Sequence, residues 1–194
     1  AEDLLALQHA AEEDVFQLNQ KDILRRRFEA GLLTGDLDAA ADACRTGFAL
    51  APRDMRFNDC RLQLWSQSPV DRRTAALARA YADSLGTGEA NALIRSMREL
   101  WVAQILARAG LGDSADATER RATAGVPAEW HSLLWGESAR VRVLRGDYDS
   151  ALTLLALVLR ADPTARGVIA AAPSFQPLRA DPRFVALTAA TARR

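Results

Sequence analysis

The chain has 194 residues, of which 49% are apolar but only 6% aromatic, and its 25 basic side chains balance 25 acidic ones. This is the composition of a globular protein of one or two domains. Zero net charge provides no overall field for nucleic acid or an anionic membrane, and no run of about 18 uncharged apolar residues could cross a bilayer. Two cysteines and two histidines are too few for a disulfide framework or a multi-ligand zinc site.

Apolar residues recur at helical spacing along the whole chain, as in Leu93, Met97, Trp101 and Ile105. Alanine, which has the best intrinsic helix propensity, is abundant, and no segment alternates as a strand would. The sequence therefore predicts an all-α protein. In chain order, helices are expected near residues 2–18, 21–34, 36–50, 54–66, 70–85, 89–110, 113–123, 128–145, 147–161, 164–171 and 182–192.

Glycine followed by aspartate marks three of the predicted helix boundaries. Gly35, Gly112 and Gly146 each stand where a helix is expected to end in a left-handed residue. The aspartate that follows each glycine is suited to cap the next helix. Short turns of this kind predict consecutive antiparallel helices.

Five pairs of identical residues share one 34-residue spacing. They are Trp101 and Trp135, Arg108 and Arg142, Gly112 and Gly146, Asp113 and Asp147, and Ala117 and Ala151. The segment that begins at Gly35 also matches the one that begins at Gly146, and each runs on to a proline at the same distance, Pro52 and Pro163. A fixed period of this length predicts stacked repeats of two helices each.

With this spacing, the sequence resembles the tetratricopeptide repeat family, a 34-residue helix–turn–helix unit. The clearest unit spans about 132–165, with a small residue at Ala139 in its first helix and Ala151 in its second. Units at about 98–131 and 21–54 are less complete, with Ile105 and Phe28 at the small-residue position. Residues 55–97 fit only as a degenerate or lengthened pair.

The C-terminal residues 166–194 carry a second resemblance. The segment from Pro173 to Phe184 is similar to the one that closes tetratricopeptide regions in many bacterial signalling proteins, including kinases, cyclases and winged-helix regulators. Its prolines and apolar side chains suit a cap over the last helix pair. The two resemblances imply one domain over 1–194, an α-solenoid of about five antiparallel helix pairs with a right-handed superhelix.

No catalytic motif accompanies this architecture. The sequence contains no phosphate-binding glycine loop, nucleophile elbow, His-Glu-x-x-His or Cys-x-x-Cys, so we expect neither enzymatic activity nor a metal or other cofactor. Cys44 and Cys60 fall on helices that pack together in a stacked solenoid. Two buried thiols are favoured, and a disulfide is the alternative if an oxidising compartment and a Cα separation within about 7 Å permit it.

The family resemblance implies that the first helix of each pair lines a concave groove for a partner. Carried over by the 34-residue register, the candidate groove residues are Asp22, Arg25, Arg26, Glu29, Glu99, Val102, Ala103, Leu106, Leu133, Glu137 and Arg140. They mix both charge signs with apolar side chains, as a groove for an extended peptide does. The predicted partner is therefore another protein.

Two functions follow as hypotheses from these expectations. The first is a protein–protein interaction scaffold or adaptor that holds a partner segment in its groove. The alternative is a sensory or regulatory domain of a larger bacterial signalling protein. The preference for arginine over lysine fits a bacterial source, and the start at Ala1 fits either a periplasmic protein after signal-peptide removal or a piece of a cytoplasmic one.

Overall fold

The computed structural model describes residues 19–86 and 91–189. Within these ranges the chain forms ten α-helices and three short 3-10 segments, without a strand. The helices α1 to α10 span 19–34, Leu37–Leu50, Met55–Gln67, Arg72–Gly86, Ala92–Arg108, Gly112–Ala124, His131–Leu144, Tyr148–Ala161, Arg166–Ala171 and Pro182–Thr188. The 3-10 segments are Ala128–Trp130, Pro163–Ala165 and Pro173–Leu178.

The all-α prediction is confirmed for the described residues, and the helices pack largely as sequential antiparallel pairs. The pairs α5–α6 and α7–α8 have the most extensive contacts, whereas α4 packs more on α5 than on its predicted partner α3. Every predicted helix from 21–34 onward has a counterpart. The predicted helix near 2–18 lies outside the described residues.

Three helix-ending turns contain a glycine in the left-handed region. Gly35, Gly110 and Gly146 have φ angles of 81°, 74° and 74°, a conformation that glycine adopts without steric cost. The prediction of Gly112 at this position is wrong by two positions, because Gly112 is the first residue of α6. The turns at Gly110 and Gly146 share one hydrogen-bond pattern, in which the amide after the glycine donates to a carbonyl of the preceding helix at 2.9 Å in both.

The α5–α6 and α7–α8 pairs consequently follow a 36-residue spacing, set by Gly110 and Gly146. In these two pairs and in the α1–α2 pair, a fully buried alanine lies five positions after the turn glycine, at Ala115, Ala151 and Ala40. Ala117, which the 34-residue register aligned with Ala151, is exposed rather than part of the core. Small side chains at the buried positions allow close approach of the two helix backbones.

The corrected spacing also moves the small-residue position of the first helix. Seven positions before the turn glycine, the pairs have Phe28, Ala103 and Ala139, all buried. Ala103 therefore replaces Ile105, which the 34-residue register placed there. The α5–α6 pair thus has a small residue in both helices, as the α7–α8 pair does.

Apolar side chains form several local clusters along the chain. One cluster joins α1, α2 and α3, a second joins α3 to α6, and a third joins α7, α8 and the C-terminal segment. In the third cluster, Phe175, Leu178 and Phe184 are buried against α7 and α8. Pro182 opens α10, and the Asp181 carboxylate caps it by accepting from the Arg183 amide at 2.8 Å.

Candidate functional site

A pocket of about 340 Å³ lies where the first helices of successive pairs meet. We call it the central pocket. It receives residues from α1, α3, α5 and α7 and is closed at one side by the start of the Pro173–Leu178 segment. Its lining residues are Glu29, Leu32, Leu33, Gln63, Ser66, Gln67, Met97, Trp101, Glu137, Arg140, Ala172, Pro173 and Ser174.

The packing order of the helices explains why these residues meet. Helix α5 contacts both α3 and α7, so equivalent faces of the three helices lie side by side. With the 36-residue spacing, Trp101 of α5 corresponds to Glu137 of α7, and both line the pocket. Gly35, in the turn after α1, lies beside Pro173, so the first pair and the C-terminal segment approach each other at the pocket.

Hydrogen bonds hold the charged wall of the pocket in place. The buried Gln104 amide donates to the Glu137 carboxylate at 2.7 Å and to the Glu137 carbonyl at 3.4 Å. Arg140 pairs with the same carboxylate one helical turn away. The Arg140 guanidinium also lies 5.9 Å from the centre of the Phe175 ring, a cation–π contact. Glu137 and Arg140 are therefore fixed by neighbours from α5 and from the C-terminal segment.

The opposite wall combines apolar side chains with amides. Glu29 accepts from Arg25 at 3.0 Å, and the neighbouring Leu33 remains 48% exposed. The side-chain amides of Gln63 and Gln67 make no hydrogen bond to another described residue. Each amide can donate and accept, so this wall offers both kinds of partner to an extended backbone.

A partly buried arginine supports the wall from behind. The Arg108 guanidinium donates through Nε to the Ser66 carbonyl at 2.6 Å. Burial lowers the pKa of Arg108 because desolvation disfavours its charged form. The Ser66 hydroxyl is itself occupied, since it donates to the Gln63 carbonyl at 2.8 Å. The Ser66 hydroxyl is thus committed to the backbone of its own helix.

Three of the predicted groove residues line the central pocket, namely Glu29, Glu137 and Arg140. The prediction for Val102, Ala103 and Leu106 is corrected, because α5 buries these side chains among its neighbours. The cause is the two-residue error in the register. In the 36-residue register, Leu133 and Glu137 correspond to Met97 and Trp101, which do line the pocket.

The other predicted residues lie elsewhere. Asp22 is 3.8 Å from Arg25 and 3.9 Å from Arg56 in exposed ion pairs, and Arg26 is exposed. Glu99 pairs with Arg79 at 2.8 Å and with Arg121 at 2.5 Å on the other side of α5. Leu133 is exposed and is not part of the lining. These residues are placed on other surfaces of the molecule.

The structure joins Cys44 of α2 to Cys60 of α3 in a disulfide, with the two Cα atoms 5.8 Å apart. The structure therefore has the disulfide that the sequence analysis gave as the alternative, and not the two buried thiols that it favoured. The bond is surrounded by the apolar cluster of α1, α2 and α3. It crosslinks the first helix pair to the second.

Sequence reasoning missed Gln63, Gln67, Met97 and Trp101 as pocket residues. The first two lie in the degenerate pair 55–97, where no repeat register was available. Met97 and Trp101 carry the correct helical spacing, and the signal that would have found them is Gly110, which precedes Gly112 by two positions.

The pocket can hold a ligand by packing and hydrogen bonding. Among the described residues, no group of three or more His, Cys, Asp and Glu side chains could hold a metal ion, and no described helix is long and apolar enough to cross a membrane.

Comparison with protein-family models, curated proteins and solved structures finds no match to this chain.

Proposed function

We propose that this protein is a non-catalytic interaction module that binds an extended segment of another protein in the central pocket. In this proposal the helix pairs form a right-handed stack of the tetratricopeptide type. The observation that carries the proposal is the composition of the pocket, which draws side chains from α1, α3, α5 and α7. Binding surfaces of stacked repeats are assembled in this way, one helix from each unit.

The repeated turns support the architecture that the proposal assumes. A left-handed glycine, a buried alanine five positions later and a small or aromatic residue seven positions earlier recur in three pairs. Each pair would bury only part of its apolar surface without its neighbours. The 36-residue spacing of the two C-terminal pairs exceeds the 34-residue unit of the family, which makes these units lengthened members.

The lining defines the chemistry of the partner segment. Leu33, Met97 and Trp101 would receive one apolar side chain, since about 340 Å³ is at the small end of ligand pockets. Gln63 and Gln67 would pair with the backbone of the segment, which is the usual source of affinity for an extended peptide. Because Glu137 pairs with Arg140 and Glu29 with Arg25, the pocket has no excess charge that would demand a charged partner.

A matched pair of leucine variants tests the proposal. Peptides that bind the full chain are first selected from a displayed library of random sequences. Their affinities for the wild type, Leu33→Arg and Leu77→Arg are then measured by fluorescence anisotropy. Both leucines are about half exposed, at 48% and 54%, but only Leu33 lines the pocket. Leu33→Arg should weaken binding at least about tenfold, because it places a charge against the apolar anchor.

Leu77→Arg should leave the affinities unchanged, since Leu77 lies on α4 away from the pocket lining. Equal losses in both variants, or none in either, would contradict the assignment of the partner to the central pocket. Circular-dichroism melting curves of the variants verify that each remains folded, as expected for substitutions at exposed positions.

A further inference from the structure

A second pocket lies between α2, α3 and α4. We call it the α2–α4 pocket. Its volume is about 270 Å³, and it shares no lining residue with the central pocket. The residues on which the argument rests are Cys44, Arg45 and Phe48 of α2, Phe57 and Arg61 of α3, and Tyr81 of α4.

Aromatic side chains form much of the wall of this pocket. Phe57 is 3% exposed and belongs to the apolar cluster of α1, α2 and α3, whereas Phe48 remains 45% exposed. The Tyr81 hydroxyl donates to the Asn58 carbonyl at 2.9 Å, so its hydrogen is committed and Tyr81 contributes chiefly aromatic surface. These side chains favour an aromatic ligand group, because pairs of rings gain energy beyond the area that they bury.

The disulfide holds together the two helices that supply most of the lining. Cys44 lines the pocket, and its bond to Cys60 fixes α2 against α3. Arg45 and Phe48 are one helical turn apart, as are Phe57 and Arg61, so each of these two pairs shares one face of its helix. Walls that are fixed before binding lower the entropy that a ligand must overcome.

The charge of the lining favours an anion. Its only charged side chains are Arg45 and Arg61. The Arg61 guanidinium lies 4.5 Å from the centre of the Trp65 ring and 5.4 Å from that of the Tyr81 ring. It forms no ion pair or hydrogen bond with any described residue. Stacking engages the faces of a guanidinium, and the N–H groups at its edge remain available to a carboxylate.

Only one of the two positive charges lacks compensation within the described residues. Arg45 pairs with Asp42 at 2.7 Å in an exposed contact, whereas Arg61 has no carboxylate partner there. A ligand with a single negative charge therefore matches the pocket better than a phosphate ester, whose charge is close to two. The volume lies just below the usual range of ligand pockets, which suits a molecule with one ring.

We propose that the α2–α4 pocket binds a small aromatic carboxylate, whose ring packs against Phe48 and Phe57 and whose carboxylate accepts hydrogen bonds from Arg61. Aromatic walls, a lining without an acidic side chain and an uncompensated guanidinium together specify this ligand class. The site is separate from the central pocket and does not rest on the function proposed for it.

Titrations of the full chain followed by two-dimensional NMR test this site. The probe is phenylpropionate. Phenylpropanamide removes its charge, hexanoate replaces its ring, and phenyl phosphate adds a second negative charge. Phenylpropionate should shift the side-chain signals of Phe48, Phe57 and Arg61 in a saturable way and bind at least about tenfold more tightly than the amide. Hexanoate and phenyl phosphate should both bind more weakly than phenylpropionate.

Two variants of the pocket and one matched control locate the binding. Arg61→Gln should weaken binding of phenylpropionate about tenfold or more and leave that of the amide unchanged, because it removes the charged donor and keeps the walls. Phe48→Ala should weaken binding of both ligands about threefold to tenfold, because both lose the same apolar contact. Arg53→Gln neutralises another exposed arginine, between α2 and α3 but outside the lining, and should leave the affinities unchanged.

The proposal is overturned if phenylpropionate produces no saturable shift, or if Arg61→Gln binds it as well as the wild type. It is also overturned if Arg53→Gln weakens binding as much as Arg61→Gln, because the carboxylate would then respond only to surface charge. An amide that binds as tightly as the carboxylate would contradict the selection of an anion, and tighter binding of hexanoate or phenyl phosphate would contradict the ring or the single charge. Should Phe48→Ala fail to fold, Arg61→Gln still decides the question, since Arg61 is exposed.

Discussion

Two ion pairs, each with a buried carboxylate, connect successive helix pairs at the level of single residues. Arg98 of α5 donates to Asp59 of α3 at 2.6 Å and to the Leu85 carbonyl at 3.2 Å, and Arg142 of α7 meets Glu119 of α6 at 2.7 Å. Desolvation offsets much of the attraction in such pairs, so they contribute little net stability. Their consequence is specificity, since any slip between the helices would leave a buried charge without its partner.

The Glu119 carboxyl makes the stability of the protein depend on pH. Burial raises the pKa of Glu119 above its ordinary value, and Arg142 only partly opposes this. A raised folded-state pKa contributes stability that is complete below the unfolded pKa of about 4.3 and is lost as pH rises through the folded pKa. The urea midpoint of the wild type should therefore fall relative to that of Glu119→Gln as the pH rises above the unfolded pKa of about 4.3.

Glu129→Gln is the control for that comparison, because Glu129 is exposed and has no ion pair among the described residues. Its urea midpoint should follow that of the wild type at every pH. A difference between wild type and Glu119→Gln that stays constant with pH would show that Glu119 titrates as an exposed glutamate does.

Each of these helix pairs depends on the close approach of two helix backbones, and a buried alanine lies where they approach. Ala115 and Ala151 are fully buried, whereas Ala117 is exposed. Replacing either buried alanine by tryptophan should destabilise the protein by more than about 3 kcal/mol, because the helices would have to separate. Ala117→Trp should change the free energy of unfolding by less than about 0.5 kcal/mol.

Urea denaturation of the three tryptophan variants decides between the two registers. A 34-residue register requires Ala117→Trp to be as damaging as Ala151→Trp. The 36-residue register requires Ala117→Trp to behave as the wild type does. The comparison is internal to one protein and uses one type of substitution.

Local rules predicted the helices well, and the register between them less well. Gly35 and Gly146 end their helices as predicted, because a left-handed glycine and a following aspartate act within one turn. The α5–α6 turn contains two glycines, Gly110 and Gly112, and chance identities in the 34-residue register favoured the wrong one. Which of them adopts positive φ is decided by the packing of α5 on α6, which no local pattern records.

The candidate site was predictable to the extent that it followed the register. Glu29, Glu137 and Arg140 were found because their helices lie in pairs with the correct turn glycine. Val102 and Leu106 were misplaced by the shifted register, and Gln63 and Gln67 had no register at all. The Cys44–Cys60 bond likewise depends on how α2 packs against α3, which the spacing of the two cysteines alone left open.

At the scale of the whole molecule, stability is distributed over several apolar clusters. The cluster of α1, α2 and α3 shares no residue with that of α7, α8 and the C-terminal segment. Interactions in stacked helix pairs are chiefly between neighbours, so the two ends of such a chain need not open together. The disulfide lies entirely within the first of these clusters.

Reducing the Cys44–Cys60 bond should therefore weaken one end of the molecule selectively. A crosslink that closes a loop of about 15 residues contributes about 3 kcal/mol by limiting the unfolded chain. In hydrogen exchange followed by mass spectrometry, peptides from 19–67 should lose about this much protection in Cys44→Ala/Cys60→Ala. Peptides from 131–189 should retain theirs, because their cluster makes no use of the bond. A uniform loss over both regions would instead mean that the helix pairs unfold as a single cooperative unit, and the place where Gly35 lies beside Pro173 would then be the first to examine for the coupling.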